Sequence, residues 1–249
     1  MKLLISAVVL MSFPLLAFDH SYSDWNSFLA KHVEMYPKKS ELKYKEAVKE
    51  RAVLDSIVEK YSKVKKEDFK SWSQKQQMAF LINVYNAHTV KVIVDHYPVG
   101  SIKDSKIAFL SPFKKDFYPL FGEKRSLGYI EHDLLRPDYK DARIHFAIVC
   151  AAVGCPSLQN KAFTVENMDE LFEKGAKMFL SDSSRNRLDG DRLRISKIFD
   201  WFEGDFDHSY GSVQEFLEPY LNNGKFSKEQ FKKLKISYTK YDWDLNEKK

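Results

Sequence analysis

Apolar and polar positions follow a helical spacing over much of the chain. Between residues 18 and 70, apolar side chains recur every three or four positions while lysine and glutamate occupy the other faces. This pattern predicts amphipathic helices with a solvated outer surface. Residues 73–96 give the strongest helix prediction, because Ser73 and Gln76 have the spacing of a capping box and Pro98 closes the apolar run. A helix that is apolar nearly all round is expected to be buried.

The second half of the chain predicts shorter elements. Residues 127–136 predict a helix stopped by Pro137, and the apolar run Ile144–Val149 predicts a strand. Further helices are predicted within 164–180, 196–206 and 212–221, and the Asp189-Gly190 pair predicts a hairpin. The tally predicts an α+β fold, a helix-rich single domain around a small, mainly antiparallel β-sheet.

The first 17 residues have the pattern of a targeting segment. Lys2 precedes the apolar run Leu3–Leu16, and Ala17 is a plausible cleavage point. The pattern predicts a secretory signal peptide and a periplasmic or secreted protein, with a retained membrane anchor as the alternative. Membrane contact is expected only through this segment if it stays uncleaved. The predicted organisation is a signal peptide over 1–17, a helical region over 18–70 and a core over 71–249.

Composition excludes several classes of function. The chain has 249 residues, and its 40 Lys and Arg against 35 Asp and Glu leave a small excess of +5. This charge does not indicate a nucleic-acid partner. Two cysteines cannot form a disulfide scaffold. The sequence contains no HxxH, HExxH or CxxC spacing, so we expect no metal site. It also contains no glycine-rich phosphate-binding motif, so we expect no cofactor.

The segment HFAIVCAAVGCP contains the densest group of reactive side chains. His145 lies five residues before Cys150 and ten before Cys155. An imidazole can take the proton of a thiol, and the resulting thiolate can attack a carbonyl carbon. Two other interpretations remain open at this point. The cysteines can form a disulfide with each other, or both can be inert buried thiols.

Two further groups of polar side chains are candidates for the same site. Asn83 and Asn86 share one face of the predicted buried helix, where they either bond to loop backbone or line a site. Glu131 and His132 are neighbours on the predicted helix 127–136, and Arg136 follows at its end. Side chains of consecutive helical residues point in different directions, so Glu131 and His132 are not expected to face one point. Taken alone, His132 and Arg136 are better explained as part of a helix surface, with Arg136 bonded to the carbonyls at the helix end.

Five sequence motifs, taken in their order along the chain, resemble those of a known family. They are FLINVYNAHTV, LGYIEHDLLR, DARIHFAIVCAAVGCPSL, ISKIFDWFEGDF and ISYTKYDWDLN. Together they resemble the domain-of-unknown-function family 547 over roughly residues 70–246. The resemblance matches His145 to the strand histidine of that family and the two cysteines to its paired cysteines. It also implies a distant similarity to papain-like and transglutaminase-like thiol enzymes, in which a strand histidine meets a cysteine at a helix start.

Two hypotheses about function follow. In the first, the protein is an exported thiol-dependent amide hydrolase or acyltransferase with Cys155 as nucleophile, although Cys150 is the other candidate. His145 is then the general base, Glu131 or Asn86 orients its ring, and backbone amides of residues 151–155 stabilise the oxyanion. In the second, the protein is a catalytically silent module that binds a peptide or small ligand, with aromatic contacts from residues 107–121. A peptide or small-molecule amide is the expected partner. The assigned substrate-binding residues are Asn83, Asn86, His132 and Arg136.

Overall fold

The structure, a computed structural model, describes residues 18–248. The predicted signal peptide therefore lies outside the described residues. The α-helices are α1 (Ser23–His32), α2 (Tyr44–Ala47), α3 (Arg51–Ser62), α4 (Lys66–Ser71), α5 (Gln74–His96), α6 (Ser105–Ala108), α7 (Arg136–Tyr139), α8 (Met168–Leu180), α9 (Ile198–Trp201), α10 (Glu203–Tyr210), α11 (Val213–Leu221) and α12 (Lys228–Phe231). Two 3₁₀ segments (Val48–Glu50 and Ala142–Phe146) and a π-helix (Tyr129–Leu135) complete the helical elements of this part of the chain.

Helix α5 is buried in the larger hydrophobic core, as predicted. Ser73 caps it by accepting a hydrogen bond from the Gln76 N–H, and the Gln76 side chain accepts one from the Ser73 N–H. This capping box fixes where the helix begins. The helix is buried on nearly all sides from Met78 to Val94, and α3 packs along it. No helix among the described residues has the length and hydropathy needed to cross a membrane.

The strands form three small sheets at separate places. Strands β1 (Val33–Met35) and β2 (Ser40–Leu42) make an antiparallel pair, and so do β3 (Tyr118–Leu120) and β4 (Glu123–Arg125). Strands β5 (Arg187–Asp189) and β6 (Arg192–Ile195) form the predicted hairpin, and β7 (Lys235–Tyr238) adds to β6 in parallel. The α+β class is confirmed. The β1–β2 hairpin falls in a region where the sequence pattern predicts helices alone.

The segment that carries His145 lies between two hydrophobic cores. Ile144 and Ala147 pack into the larger core around α5, whereas Ala142 and Phe146 pack into a second core built from α8 to α12. The strand predicted for Ile144–Val149 is therefore wrong, since residues 142–146 form a 3₁₀ turn. The run is apolar because both of its sides are buried, and periodicity cannot distinguish such a segment from a buried strand.

The segment that carries Glu131 is a π-helix, and Pro137 does not stop it. Residues Tyr129–Leu135 form the wider π turns, and the chain continues into α7 with Pro137 in its first turn, where a missing N–H is tolerated. Gly128 lets the chain pass close to the Phe113 carbonyl, which would lie 2.2 Å from an added Cβ. In proteins, π turns frequently occur at functional sites.

Residues 239–248, here called the C-terminal strap, cross the loop that contains both cysteines. The Val153 N–H donates to the Asp244 carbonyl at 2.7 Å, and the Gly154 N–H donates to the Asp242 carbonyl at 2.8 Å. The Asn246 N–H donates to the Ala151 carbonyl at 3.1 Å. These backbone hydrogen bonds fix the strap against the cysteine loop, and the strap becomes one wall of the site described next.

Candidate functional site

A cavity of about 200 Å³ lies where the π-helix, the cysteine loop, helix α9 and the C-terminal strap meet. Of the residues predicted from the sequence, the structure brings five to this cavity: Glu131, His132, His145, Cys150 and Cys155. The rest of the lining is mainly aromatic and comprises Tyr85, Phe113, Ile148, Pro156, Ile198, Trp201, Phe202, Tyr241 and Trp243. The cavity therefore contains both reactive residue types, a thiol and an imidazole.

Both cysteines are free thiols, and their sulfurs share hydrogen-bond donors. The Cys150 N–H donates to Cys155 Sγ at 2.9 Å, and the Tyr241 hydroxyl lies 3.2 Å from Cys150 Sγ. Burial raises the pKa of the Cys155 thiol, but hydrogen bonds from the Cys150 thiol, the Tyr241 hydroxyl and the Cys150 N–H outweigh it. The pKa of Cys155 is consequently lowered. The hydrogen bond to Cys155 and burial raise the pKa of Cys150, so the proton of the pair stays on Cys150.

The cysteine loop folds tightly and uses its own amide groups. The N–H groups of Val153 and Gly154 bond to the strap, and the Cys155 N–H donates to the Ala152 carbonyl at 3.0 Å. Most of the backbone amides of residues 151–155, which were expected to stabilise an oxyanion, therefore already have hydrogen-bond partners. Gly154 permits the close approach of the strap, because an added Cβ would lie 2.8 Å from the Asp242 carbonyl oxygen.

His145 is held by an acid that sequence reasoning missed. Its Nε2 lies 2.7 Å from Asp205 Oδ2, and its ring stacks on Phe202 with the ring centroids 3.9 Å apart. Arg136 donates two hydrogen bonds to the same carboxylate, at 2.6 and 2.9 Å. Burial raises the pKa of Asp205, but the hydrogen bonds from His145 and Arg136 outweigh it, and the pKa is held far below its ordinary value. Asp205 is therefore ionised.

An ionised Asp205 fixes the tautomer of the His145 ring. A carboxylate only accepts hydrogen bonds, so Nε2 carries the proton and Nδ1 keeps its lone pair. Among the described residues, no side chain or backbone group bonds to Nδ1. Burial lowers the pKa of His145, an effect that the hydrogen bond to Asp205 partly opposes. The ring is thus a neutral imidazole with one basic nitrogen.

Glu131 does not orient the imidazole as predicted, because Asp205 occupies that position. Its carboxyl accepts a hydrogen bond from the Tyr85 hydroxyl at 3.3 Å. Burial raises the pKa of Glu131 to about 7, although the hydrogen bond from Tyr85 lowers it. At neutral pH a large fraction of this side chain is a protonated acid that can donate a hydrogen bond into the cavity. Glu131 and His132 both line the cavity, although consecutive helical side chains were not expected to face one point.

The structure does not place Asn83, Asn86 or Arg136 at the cavity. The Asn83 amide bonds to both the carbonyl (2.7 Å) and the N–H (3.0 Å) of Phe163. The Asn86 amide bonds to the Ala147 carbonyl at 2.8 Å and the Val149 N–H at 2.9 Å. Both amides satisfy buried loop backbone, which was the structural interpretation of their spacing. Nor does either amide orient the His145 ring. Arg136 lies behind the site, where it pairs with Asp205.

The aromatic wall comes from segments far apart in the sequence. Trp201, Tyr241 and Trp243 form an aromatic cluster, in which the ring centroid of Tyr241 lies 4.9 Å from that of Trp201 and 4.6 Å from that of Trp243, and the two tryptophan rings are 6.1 Å apart. Of the stretch 107–121, from which aromatic contacts were expected, Phe113 lines the cavity. The extended aromatic motif ISYTKYDWDLN is the sequence signal that contains Tyr241 and Trp243.

The described residues give no sign of a metal centre. Within residues 18–248, no group of three or more His, Cys, Asp or Glu side chains is arranged to hold a metal ion. The chemistry available at this site is that of a thiol pair, a neutral imidazole paired with an ionised carboxylate, and a carboxylic acid. Such a set can perform nucleophilic attack and proton transfer.

The chain thus has an α+β fold in which two thiols, an imidazole and a carboxyl group meet at one cavity. Residues 69–180 match the model of the family described as "Protein of unknown function, DUF547". Over these residues the chain is similar to that family, which confirms the resemblance. The match contains Glu131, His145 and both cysteines, while Asp205 and the C-terminal strap lie beyond it. No curated protein and no solved structure matches the chain.

Proposed function

We propose that this protein is a thiol-dependent acyl-transfer enzyme, a hydrolase or acyltransferase acting on an amide. Cys155 is the nucleophile, and His145, held by Asp205, is the group that moves protons. The proposal rests on one observation: the Cys150 N–H donates to Cys155 Sγ at 2.9 Å in a cavity that also contains the His145 ring. Donors of this kind favour the thiolate, which is the reactive form of cysteine.

The proposed reaction has two steps. His145 accepts the Cys155 thiol proton at Nδ1, the thiolate sulfur attacks the amide carbonyl carbon, and an S–C bond forms. The C–N bond breaks as the imidazolium gives this proton to the leaving amine. Water or a second amine then attacks the thioester, His145 accepts a proton of that nucleophile at Nδ1, and the S–C bond breaks, which restores the Cys155 thiolate beside the imidazolium. Since loop amides are occupied, the Tyr241 hydroxyl and protonated Glu131 are the donors proposed for the oxyanion.

Trapping of the covalent intermediate tests the proposal. The reduced protein is incubated with p-nitrophenyl acetate, quenched in acid and mapped by mass spectrometry. We expect an acetyl group on Cys155, and we expect its loss in Cys155→Ser. Trypsin releases residues 144–161 as one peptide that contains both cysteines. This peptide must therefore be fragmented in the mass spectrometer to show which cysteine is acetylated. Acetylation of Cys150 alone, or no acetylation while the thiols are reduced, would overturn the proposal.

The second candidate is a catalytically silent module that binds a ligand, and the aromatic cluster of Trp201, Tyr241 and Trp243 favours it. Trp201, Tyr241 and Trp243 offer stacking surfaces beside the thiols, and such surfaces bind ligands without chemistry. In that case a small amide slows alkylation of Cys155 by occupying the cavity but leaves no acyl group on the protein. The same mass-spectrometric map therefore separates the two candidates.

A further inference from the structure

A lysine with no acidic partner packs on one of the aromatic residues that line the thiol cavity. The Nζ of Lys103 lies 3.1 Å from the centroid of the Trp243 ring, which lines the cavity. Among residues 18–248 it forms no salt bridge, in contrast to Lys91, which pairs with Asp55 and Asp95. An ammonium on an indole face is held by a cation–π interaction but is not neutralised.

The position of Lys103 is fixed by the strap. The Ser101 hydroxyl donates to the Trp243 carbonyl at 2.6 Å and accepts from the Lys103 N–H at 3.1 Å. This connects the turn that carries Lys103 to the strap that carries Trp243. Burial lowers the pKa of Lys103, and Cys150 partly opposes this effect. The lysine is thus a charge held against Trp243, one wall of the cavity.

None of the acidic groups around the cavity pairs with Lys103. Asp205 is already paired with Arg136, and Glu131, whose pKa is raised to about 7, is about half protonated at neutral pH. Asp242 and Asp244 flank Trp243 in the sequence, and among residues 18–248 neither forms an ion pair with Lys103. The Lys103 ammonium is therefore free to pair with the carboxylate of a ligand.

We propose that the substrate of this site carries a carboxylate near the reacting carbonyl, and that Lys103 binds this carboxylate. Trp201, Tyr241 and Trp243 support the rest of the molecule by stacking. The inference rests on the proposed function, since it defines which amides reach Cys155. The substrate class is then an amide with a free carboxylate, such as a peptide that presents its C-terminus or an acidic side chain.

Two alkylating reagents that differ only in charge test this inference. Iodoacetate and iodoacetamide each form an S–C bond and release iodide, but only iodoacetate carries a carboxylate. The rate of Cys155 modification by each is measured on the reduced protein and on the protein unfolded in urea. We expect the folded protein to favour iodoacetate over iodoacetamide by roughly fivefold to tenfold more than the unfolded chain does. Added salt should reduce this preference.

Variants at Lys103 and Lys106 assign the preference to one side chain. Lys103→Gln should bring the ratio of the two rates to that of the unfolded chain. Lys106→Gln is the matched control, because Lys106 is exposed nearby and its Nζ bonds to the Pro98 carbonyl. The ratio cancels any general effect of Lys103 on thiolate reactivity. An unchanged ratio in Lys103→Gln, or equal ratios in folded and unfolded wild type, would overturn the inference.

Protection experiments identify the source of the carboxylate. N-acetylglycylglycine offers a C-terminal carboxylate, N-acetylaspartate amide offers a side-chain carboxylate, and N-acetylglycine amide is neutral. We expect one or both anions, but not the neutral amide, to slow the iodoacetamide reaction at Cys155. Equal protection by the neutral amide would contradict the role of Lys103 and leave the proposed function intact. If Cys155 reacts with neither reagent faster than in urea, the proposed function itself fails.

Discussion

His145 Nε2 and Asp205 Oδ2 lie 2.7 Å apart and join two parts of the chain 60 residues distant in sequence. Asp205→Asn removes the charge that fixes the tautomer and leaves Arg136 without its partner. We expect the rate of acyl transfer to fall by roughly 10²-fold or more, as when other orienting acids are removed. The pKa of His145, followed by NMR, should fall further, since the carboxylate raises it.

The control for this prediction is Asp207→Asn on the same helix. Asp207 is exposed and forms no ion pair among the described residues. It should change neither the rate nor the pKa of His145. If Asp205→Asn leaves both quantities at the wild-type values, Asp205 is not a positioning residue.

The Asn86 amide makes both its hydrogen bonds to buried backbone, and its loss should weaken the fold. In Asn86→Leu the Ala147 carbonyl and the Val149 N–H lose their partners without access to water. We expect the free energy of unfolding, measured by urea denaturation, to fall by about 2–4 kcal/mol. Gln74→Leu, an exposed amide at the start of the same helix, should change it by less than about 0.5 kcal/mol. Equal effects of the two substitutions would contradict this assignment.

How far the sequence predicts this molecule depends on how local each signal is. The capping box of α5 and the Asp189-Gly190 hairpin are specified by residues three or four positions apart, and both predictions are confirmed. The strand predicted for 144–149 fails because the run is buried between two cores that only the folded chain creates. An apolar run has the same appearance in either setting.

The candidate site shows the same limit. The sequence places His145, Cys150 and Cys155 close together because they lie within one segment. It does not reveal Asp205 or Tyr241, which reach the site across 60 and 91 residues through tertiary packing. A single sequence contains no signal for contacts between residues so far apart. Asp205 and Tyr241 do lie in two of the sequence motifs that carry the family resemblance, ISKIFDWFEGDF and ISYTKYDWDLN.

Glu131 should make the stability of the protein depend on pH. The pKa of Glu131 is raised to about 7 in the folded protein, whereas in the unfolded chain it stays near its ordinary value. Between these two pKa values, the folded protein keeps a proton that the unfolded chain has released. The associated stability is present at pH 4 and is lost as the pH rises through about 7. The loss amounts to about 3 kcal/mol for a shift of this size.

Glu131→Gln removes this titration. The free energy of unfolding is measured at each pH for the variant and the wild type. The difference, variant minus wild type, should rise between pH 5 and pH 8, because only the wild type loses the stability that depends on protonated Glu131. Glu170→Gln, at an exposed position on α8, should follow the wild-type curve. Parallel curves for Glu131→Gln and wild type would show that Glu131 ionises in the folded state as it does in the unfolded chain.

Gly154 should be required for the approach of the C-terminal strap. An added Cβ meets the Asp242 carbonyl oxygen at 2.8 Å, so Gly154→Ala must displace the strap. We expect a loss of about 1–3 kcal/mol in the free energy of unfolding. Because Tyr241 would move away from the sulfurs, the pKa of Cys155 should also rise. Gly204→Ala, where an added Cβ meets nothing within 4 Å, should leave both quantities unchanged or slightly improve stability.

The activation of Cys155 is tested most directly by the pH dependence of its alkylation by iodoacetamide, measured on the reduced protein with peptide mapping. We expect Cys155 to react before Cys150, with a midpoint below the ordinary thiol pKa of about 8.5. We also expect Tyr241→Phe to move this midpoint upward, since the hydroxyl stabilises the thiolate. A midpoint for Cys155 at or above that of the urea-unfolded chain, or earlier reaction of Cys150, would contradict the claim that Cys155 is the activated nucleophile.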